Sequence, residues 1–437
     1  MALSGWFVAL LLAGAVPVVA FGGWPGLLGW LGVVAALTAV DLGIAGSPRA
    51  LRFARTTPSR VRLGDTVETS VLVTNTGRRR LRGVLRDAWQ PSAGARPTRQ
   101  ALLVPAGERR EVRVALTPVR RGERRSAHVT VRSFGPLRLA ARQASFRVPG
   151  ALRVLPPFTA RRHLPSRLAR LRELDGQTSV QVRGQGTEFD SLREYVRGDD
   201  VRSIDWRATA RRRDPATGGA SLVVRTWRPE RDRRVVIVVD SGRTSAARVA
   251  DEPRIDTAFE ASLLLAALAS RAGDRIDLIV FDRLVRGRVQ GATGAELLSR
   301  MVDAMAPIEP QLLETDWDAV PALVRQVTSQ RALVVLLTSI DAPGASRGLL
   351  STLPQLTRRH TVVVASVSDP DVLEAARERA DTEQVYRAAA AERALLDASR
   401  VAAAIRQSGG EVVTGSPAEL PPALADAYLA LKAAGRL

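Results

Sequence analysis

Two places in this sequence carry residue types and spacings suited to chemistry. The denser is a polar stretch from Gly184 to Arg207, where Asp199, Asp200 and Asp205 fall within seven positions. Carboxylates that close together can share a divalent metal for phosphoryl hydrolysis. Gly184-Gln185-Gly186 could approach a phosphate, but the third glycine is missing, and the position suits neither a Rossmann turn nor a P-loop. The same stretch interleaves guanidinium groups and carboxylates with Phe189, Tyr195 and Trp206. It therefore also reads as an Arg–carboxylate network that staples a loop onto the next domain, with the aromatics buried beneath it. Partner recognition is the third reading, through Glu188, Arg193, Tyr195, Asp199, Asp200, Asp205, Trp206 and Arg207.

The second place is Asp240, which ends the apolar run Val235–Val239 and precedes Ser241-Gly242-Arg243-Thr244. In an open α/β sheet, ligands bind at the carboxyl ends of strands. A carboxylate there either meets a ligand or caps the following loop through backbone N–H groups.

Other chemistry is excluded by composition. Without cysteine, the chain has no disulfide framework, thiolate metal site or cysteine nucleophile. His128, His163 and His360 are widely separated, which disfavours a histidine zinc centre. Lys432 is the only lysine, so no Walker A lysine exists.

The elements that position these residues follow from patterning. Runs at Val235–Val239, Ile276–Phe281, Leu333–Leu337, Val362–Val367 and Glu411–Thr414 alternate with helical patterns such as Thr257–Arg271. Such alternation predicts a largely parallel sheet covered on both faces over residues 235–437, with Val285–Gln290 as an antiparallel edge strand. Residues 49–152 alternate polar and apolar positions between turns, as in Val67–Val73, Glu111–Leu116 and Ala127–Val131, and predict an all-β, immunoglobulin-like sandwich. Its Arg-rich turns, Arg78-Arg79-Arg80 and Arg120-Arg121-Gly122, read as a solvated face. A segment over 153–234, with a helix near Pro165–Leu174, connects the two domains.

The first 48 residues read as two transmembrane helices. Leu3–Phe21 and Gly26–Ala45 are each about the 20 residues that span a bilayer core, with a Gly/Trp/Pro turn between them. A signal peptide is disfavoured, since the first stretch lacks a positive start and a second apolar stretch follows at once. No basic residue precedes Arg49, whereas Arg49, Arg52, Arg55, Arg60 and Arg62 follow closely. The positive-inside rule then predicts a multi-pass cell-membrane protein with cytoplasmic soluble domains. The formal net charge of +20 is concentrated in residues 49–150, which hold 23 arginines and 6 acidic residues. Attraction to anionic lipid accounts for that placement, and no nucleic-acid motif accompanies it.

Two resemblances extend this reading. Val236–Ser245 resembles the first strand and metal-site loop of a von Willebrand factor A domain, which makes the predicted α/β fold a doubly wound von Willebrand factor A-like domain. That family's metal-ion-dependent adhesion site takes Asp-x-Ser-x-Ser, a later threonine and a last aspartate, and implies Mg²⁺ as a candidate cofactor. Here Asp240 matches the first aspartate, Gly242 replaces the first serine, and Thr244 stands for the second. Thr315 matches the threonine, and Ser339 stands where the last aspartate would be, so the site is degenerate. Asp316 and Asp341 are the nearby carboxylates that could compensate. More broadly, Gly184-x-Gly186-x-Glu188-Phe189, Arg193-Glu194-Tyr195, Gly198-Asp199-Asp200 and Ile204–Arg211 resemble the signature of domain-of-unknown-function family fifty-eight, and the similarity runs on to Tyr428–Lys432. That resemblance implies a membrane-tethered, non-enzymatic adaptor with a MoxR-type AAA+ ATPase as partner. A metal-dependent hydrolase and a self-associating membrane scaffold are the alternatives.

Overall fold

The computed structural model describes residues 2–181, 188–196, 199, 201–211, 222–228 and 233–437. The Gly184–Gly186 stretch and Asp200 lie outside the described residues. The chain divides into two compact units, Met1–Pro157 and Phe158–Leu437.

In the first unit a short strand, β1 (Ala2–Leu3), leads into helices α1 (Gly5–Leu12), α2 (Ala15–Phe21) and α3 (Gly23–Ile44). Among the described residues, one helical segment, Gly23–Ala50, is long and apolar enough to cross a membrane. The first apolar stretch, expected as a second spanning helix, is instead broken at Ala13-Gly14. Pro17 has no N–H to offer the Ala13 carbonyl, and the Gly14 N–H closes early on Leu11 O at 3.1 Å. Trp30 packs at the break and donates from Nε1 to Leu10 O at 3.0 Å. A Cβ on Gly14 would lie 2.3 Å from the Trp30 ring, and one on Gly26 would lie 2.7 Å from Pro17 O. Glycines thus let the helices approach closely.

After α3 come β2 (Leu51–Thr56), β3 (Arg60–Arg62), β4 (Val67–Asn75), β5 (Leu81–Trp89), β6 (Ala95–Arg96), β7 (Gln100–Val104), β8 (Arg109–Leu116), β9 (Gly122–Phe134), β10 (Ala140–Phe146) and β11 (Gly150–Leu155). One sheet runs β2-β4-β8-β6. In the other, β9 has β5 and then β7 on one side, with β10 and β11 in tandem on the other. Val71, Val73, Leu85, Leu102, Val129 and Val131 fill a core of inward-facing alternate residues. A second cluster gathers Val61, Trp89, Val114 and Leu152, and there the Arg55 guanidinium clasps Asp87 through two bonds of 2.8 and 2.7 Å and lies over the Trp89 ring. The solvated-face expectation holds for Arg78, Arg79 and Arg80, but Arg121 and Arg124 are buried. Arg124 donates to Arg121 O and Ser92 Oγ, so this turn is packed inward.

Asp41, which interrupts the second apolar run, is fully buried. Its carboxylate accepts the backbone N–H groups of Leu137 at 2.8 Å, Leu139 at 2.9 Å and Ala140 at 3.4 Å. Leu137 and Leu139 lie in the β9–β10 turn and Ala140 opens β10, and a buried N–H without a partner there would be costly. Leu3 pairs with Ala140, and Ser4 N donates to Leu139 O at 3.0 Å. Both ends of the helical segment are therefore tied to one turn of the sandwich.

In the second unit α4 (Leu164–Gln181) exceeds the helix expected at Pro165–Leu174. Then come β12 (Glu188–Glu194), α5 (Trp206–Thr209), β13 (Val223–Arg228) and β14 (Arg234–Asp240). A minimal hairpin, β15 (Arg248–Val249) with β16 (Glu252–Pro253), hands the chain to α6 (Arg254–Arg271). The remainder runs β17 (Arg275–Phe281), β18 (Val285–Val289), α7 (Gly294–Met305), α8 (Val320–Val327), β19 (Leu333–Leu337), α9 (Arg347–Thr357), β20 (Thr361–Val367), α10 (Pro370–Ala375), α11 (Thr382–Gln407), β21 (Glu411–Gly415) and α12 (Leu420–Ala433). The sheet order is β18-β17-β14-β19-β20-β21, with β18 antiparallel and the rest parallel. Val235–Asp240 is buried throughout, as a strand covered on both faces must be.

Asp41→Ala leaves three turn N–H groups without their acceptor, at a cost of about 1–3 kcal/mol. Amide hydrogen exchange at Leu137, Leu139 and Ala140 in the detergent-solubilised protein should accelerate about tenfold or more, while Val129 and Val131 stay protected.

Candidate functional site

Asp240 is only 3% exposed and stands at the carboxyl end of the central strand β14. One carboxylate oxygen accepts the Gly242 N–H at 2.7 Å and the Thr315 hydroxyl. The other accepts the Thr338 hydroxyl at 2.7 Å and the Thr244 hydroxyl at 3.4 Å. Asp240, Thr244 and Thr315 thus converge as their sequence positions suggest. Ser339 lines the same cleft, but the hydroxyl that reaches Asp240 after β19 is that of its neighbour Thr338. Both residues follow the end of β19 at Leu337, so which hydroxyl meets the carboxylate is set by the conformation of that turn.

Gly242, in the place of a serine, is sterically required. A Cβ there would lie 2.3 Å from Thr315 Oγ1 and 2.8 Å from Leu313 O. Arg243 N donates to Leu313 O at 2.8 Å, which draws the Leu313–Thr315 loop over the site. Arg243 and Glu314 form an exposed ion pair at its rim. Asp341 pairs with Arg254, so it does not compensate for the missing carboxylate. The Asp316 N–H donates to Asp282 O at 2.8 Å, which helps hold the same loop.

The remaining cleft wall includes Trp317, Ser346 and Leu349. Its free volume of about 10 Å³ suits a single water-sized particle. Ser346 is 2% exposed, and its buried Oγ has no hydrogen-bond partner among the described residues. A Gly-x-Ser-x-Gly form, expected to be absent from this chain, is present here as Gly344-Ala345-Ser346-Arg347-Gly348. It is not a nucleophile elbow: Ser346 sits at φ −90°, before α9 and well past the end of β19, and no histidine lines the cleft. The donors available to a cation here are all oxygens, which suits a hard ion such as Mg²⁺, but among the described residues Asp240 is the only carboxylate that reaches the centre. Among the described residues no three His, Cys, Asp or Glu side chains gather as a metal group.

Asp282 buttresses the site from beneath. It is fully buried and accepts the Ser241 hydroxyl at 3.1 Å, the Leu284 N–H at 3.0 Å and Arg286 Nε at 2.7 Å. Burial pushes its carboxyl up, but the Arg286 guanidinium and the Arg283 and Leu284 N–H groups outweigh that and hold it below the ordinary carboxylate value.

The signature segment forms a separate cluster. β12 and β13 pair antiparallel, and Ile204 bridges to Val224. Arg193 bonds Asp199 at 2.6 Å, and Asp199 also accepts the Val196 N–H. Asp205 caps α5 through the Arg207 and Ala208 N–H groups and bonds Arg225 at 2.7 Å. The Ala208 N–H and the Arg225 guanidinium hold its carboxyl below the ordinary value. Asp199 and Asp205 are therefore committed to different arginines. The expectation of buried aromatics fails at Trp206, which is 65% exposed because α5 turns Thr209 inward instead. Tyr195 is half-buried and Arg207 exposed; Glu188 lies on β12.

Residues 191–378 match the family described as "Protein of unknown function DUF58". An uncharacterized protein of Mycobacterium tuberculosis and one of Mycobacterium bovis are each 27% identical over 199 residues, 45% of this chain and 60% of theirs. The chain thus spans about 60% of the length of the curated relatives it matches. Among solved structures, the CARDB domain of a Pyrococcus furiosus protein aligns at 15% identity over 26% of this chain and 91% of its own, with a TM-score of 0.18. E. coli alpha-2-macroglobulin aligns at 13% identity over 24% of this chain and 7% of its own, with a TM-score of 0.19.

Two variants test the geometry. Gly242→Ser restores the serine of the metal-site pattern, but it should displace the Thr315 loop and cost about 1–3 kcal/mol, read as a lowered Tm. Asp282 has a folded value below its unfolded one, so its stabilisation is complete above the ordinary carboxylate range and lost as pH falls through the folded value. Acid titration of stability should therefore be shallower in Asp282→Asn than in the parent.

Proposed function

We propose that this chain is a membrane-anchored, non-enzymatic adaptor whose second unit docks a cytoplasmic protein partner, a MoxR-type AAA+ ATPase. The observation that carries this reading is the Asp240 cleft. Loops from three parts of the chain converge on one carboxylate at the carboxyl end of a parallel sheet, beside an unpartnered buried hydroxyl. The strand order and these loops support a von Willebrand factor A-like unit, whose partner would be met at this face. Mg²⁺ is the candidate cofactor, and Asp240, Thr244, Thr315, Thr338 and Ser339 are the residues that would hold it, with waters filling the shell. A single carboxylate implies weak affinity, on the order of millimolar.

The signature segment offers a second contact region. Leu192, Val196, Val201, Trp206 and Leu222 are exposed there, an apolar set consistent with protein docking. The chain's own energy coupling is disfavoured, because Lys432 is its only lysine and is held at 3.4 Å from buried Asp274. The hydrolase alternative draws less support, since Asp199 and Asp205 each face a separate arginine. Anchoring would come from α1–α2 and α3 inserted together as a multi-pass segment of the cell membrane, with the arginine-rich side cytoplasmic.

Crosslinked affinity purification of the full-length protein from membranes tests the proposal, with Mg-ATP or EDTA and with Asp240→Ala alongside. An AAA+ ATPase should be recovered with Mg-ATP, and about tenfold less of it with the variant. Equal recovery with both proteins would contradict docking at the cleft, and metal-stimulated phosphodiester turnover lost in Asp199→Ala would favour the hydrolase.

A further inference from the structure

We propose that an anionic phospholipid binds at the base of the helical segment, with one acyl chain along the α1–α3 groove and its phosphate at Arg138. The inference rests on the membrane reading of this segment and adds a lipid class and a site to it. The groove is open, has a volume of about 550 Å³, and is walled almost wholly by carbon, including Leu3, Phe7, Leu11, Val34, Ala39 and Leu42. Among the described residues the one hydroxyl in its wall, on Thr38, is already bonded to Val34 O at 2.7 Å.

The groove ends at the β9–β10 turn. Leu3 pairs with Ala140, and the residue before Leu42 is Asp41, which grips the Leu137, Leu139 and Ala140 N–H groups. The turn itself projects Leu137, 48% exposed, and then exposed Arg138. Arg138 N closes the turn on Gly135 O at 3.3 Å, and its φ of 55° is a left-handed conformation that glycine would adopt most easily. An arginine there places a guanidinium beside an apolar tip at the foot of an apolar groove. Arg138 has no ion-pair partner among the described residues, and exposed Arg79 donates to Gly43 O near the end of α3. Paired guanidinium and phosphate at the interface, with carbon above, is the complement of an anionic phospholipid.

The opposite end of the sandwich provides a control. Val119 is 68% exposed beside Arg120 and Arg121, yet it precedes the start of β9, about 40 Å along the strand from the turn.

The test reconstitutes the full-length protein in nanodiscs of phosphatidylcholine with a minor fraction of phosphatidylglycerol, and counts retained lipids by native mass spectrometry. Phosphatidylglycerol should be retained in preference, with the preference reduced roughly fivefold in Arg138→Glu, kept in Arg138→Lys, and unchanged in Arg120→Glu. Ala39→Trp, which fills the groove, should also displace the lipid. Equal retention of both lipids, or a preference untouched by Arg138→Glu, overturns the site. Carbonate extraction of native membranes is run in parallel. Release of the parent protein would overturn the membrane reading and this proposal together, whereas retention without lipid preference overturns the lipid site alone.

Discussion

The second unit is arranged around one buried carboxylate. Asp240 ends a strand that is covered on both faces, and a charge in that position must be satisfied from the loops above it. Three hydroxyls and a backbone N–H do so, and they come from loops that backbone bonds such as Arg243 N to Leu313 O and Asp316 N to Asp282 O also hold. The Gly242–Thr244 loop, the Leu313–Thr315 loop and the turn after β19 are therefore joined through a shared acceptor. The absence of a Cβ at Gly242 is what allows Thr315 to come close. A cleft built this way is rigid at its floor and polar at its rim, as a docking site requires.

The first unit uses the same device with a different result. Asp41 would be a liability in an apolar helix, but the turn it meets supplies three N–H groups that the sheet leaves unpaired. Charge and donors cancel each other's burial, and the sandwich is tied to the helical segment at two points, Asp41 and the β1 pairing. Elsewhere in the sandwich, Arg55 and Asp87 satisfy one another beside Trp89. Removing either partner would strand a charge in the core.

Period and run length were enough to place β14, β17, β19, β20 and the antiparallel edge β18, because buried parallel strands are short, continuous and apolar. The gathering of Asp240, Thr244 and Thr315 was legible from a motif, since a strand end fixes where its loops meet. Thr338 in place of Ser339 was not, because both follow the end of β19 and the choice between them depends on the conformation of the turn. Ser346 carries a Gly-x-Ser-x-Gly form where none was expected, and its place in the cleft wall depends on tertiary placement alone. The break in the first apolar stretch was missed because hydropathy counts length and does not register Pro17 or the contact between Gly14 and Trp30. Trp206 was misplaced for a related reason: aromatic type favours burial on average, but a four-residue helix can bury only one side, and here that side is Thr209.

The most direct measurement is site-specific photocrosslinking in membranes, with a photoreactive side chain at Arg243 on the cleft rim or at Tyr386, exposed on α11 and outside the cleft. Docking at the cleft predicts an adduct with the ATPase partner from position 243 and none from position 386. An adduct from 386 alone, or none from 243 while the partner still co-purifies, would contradict it.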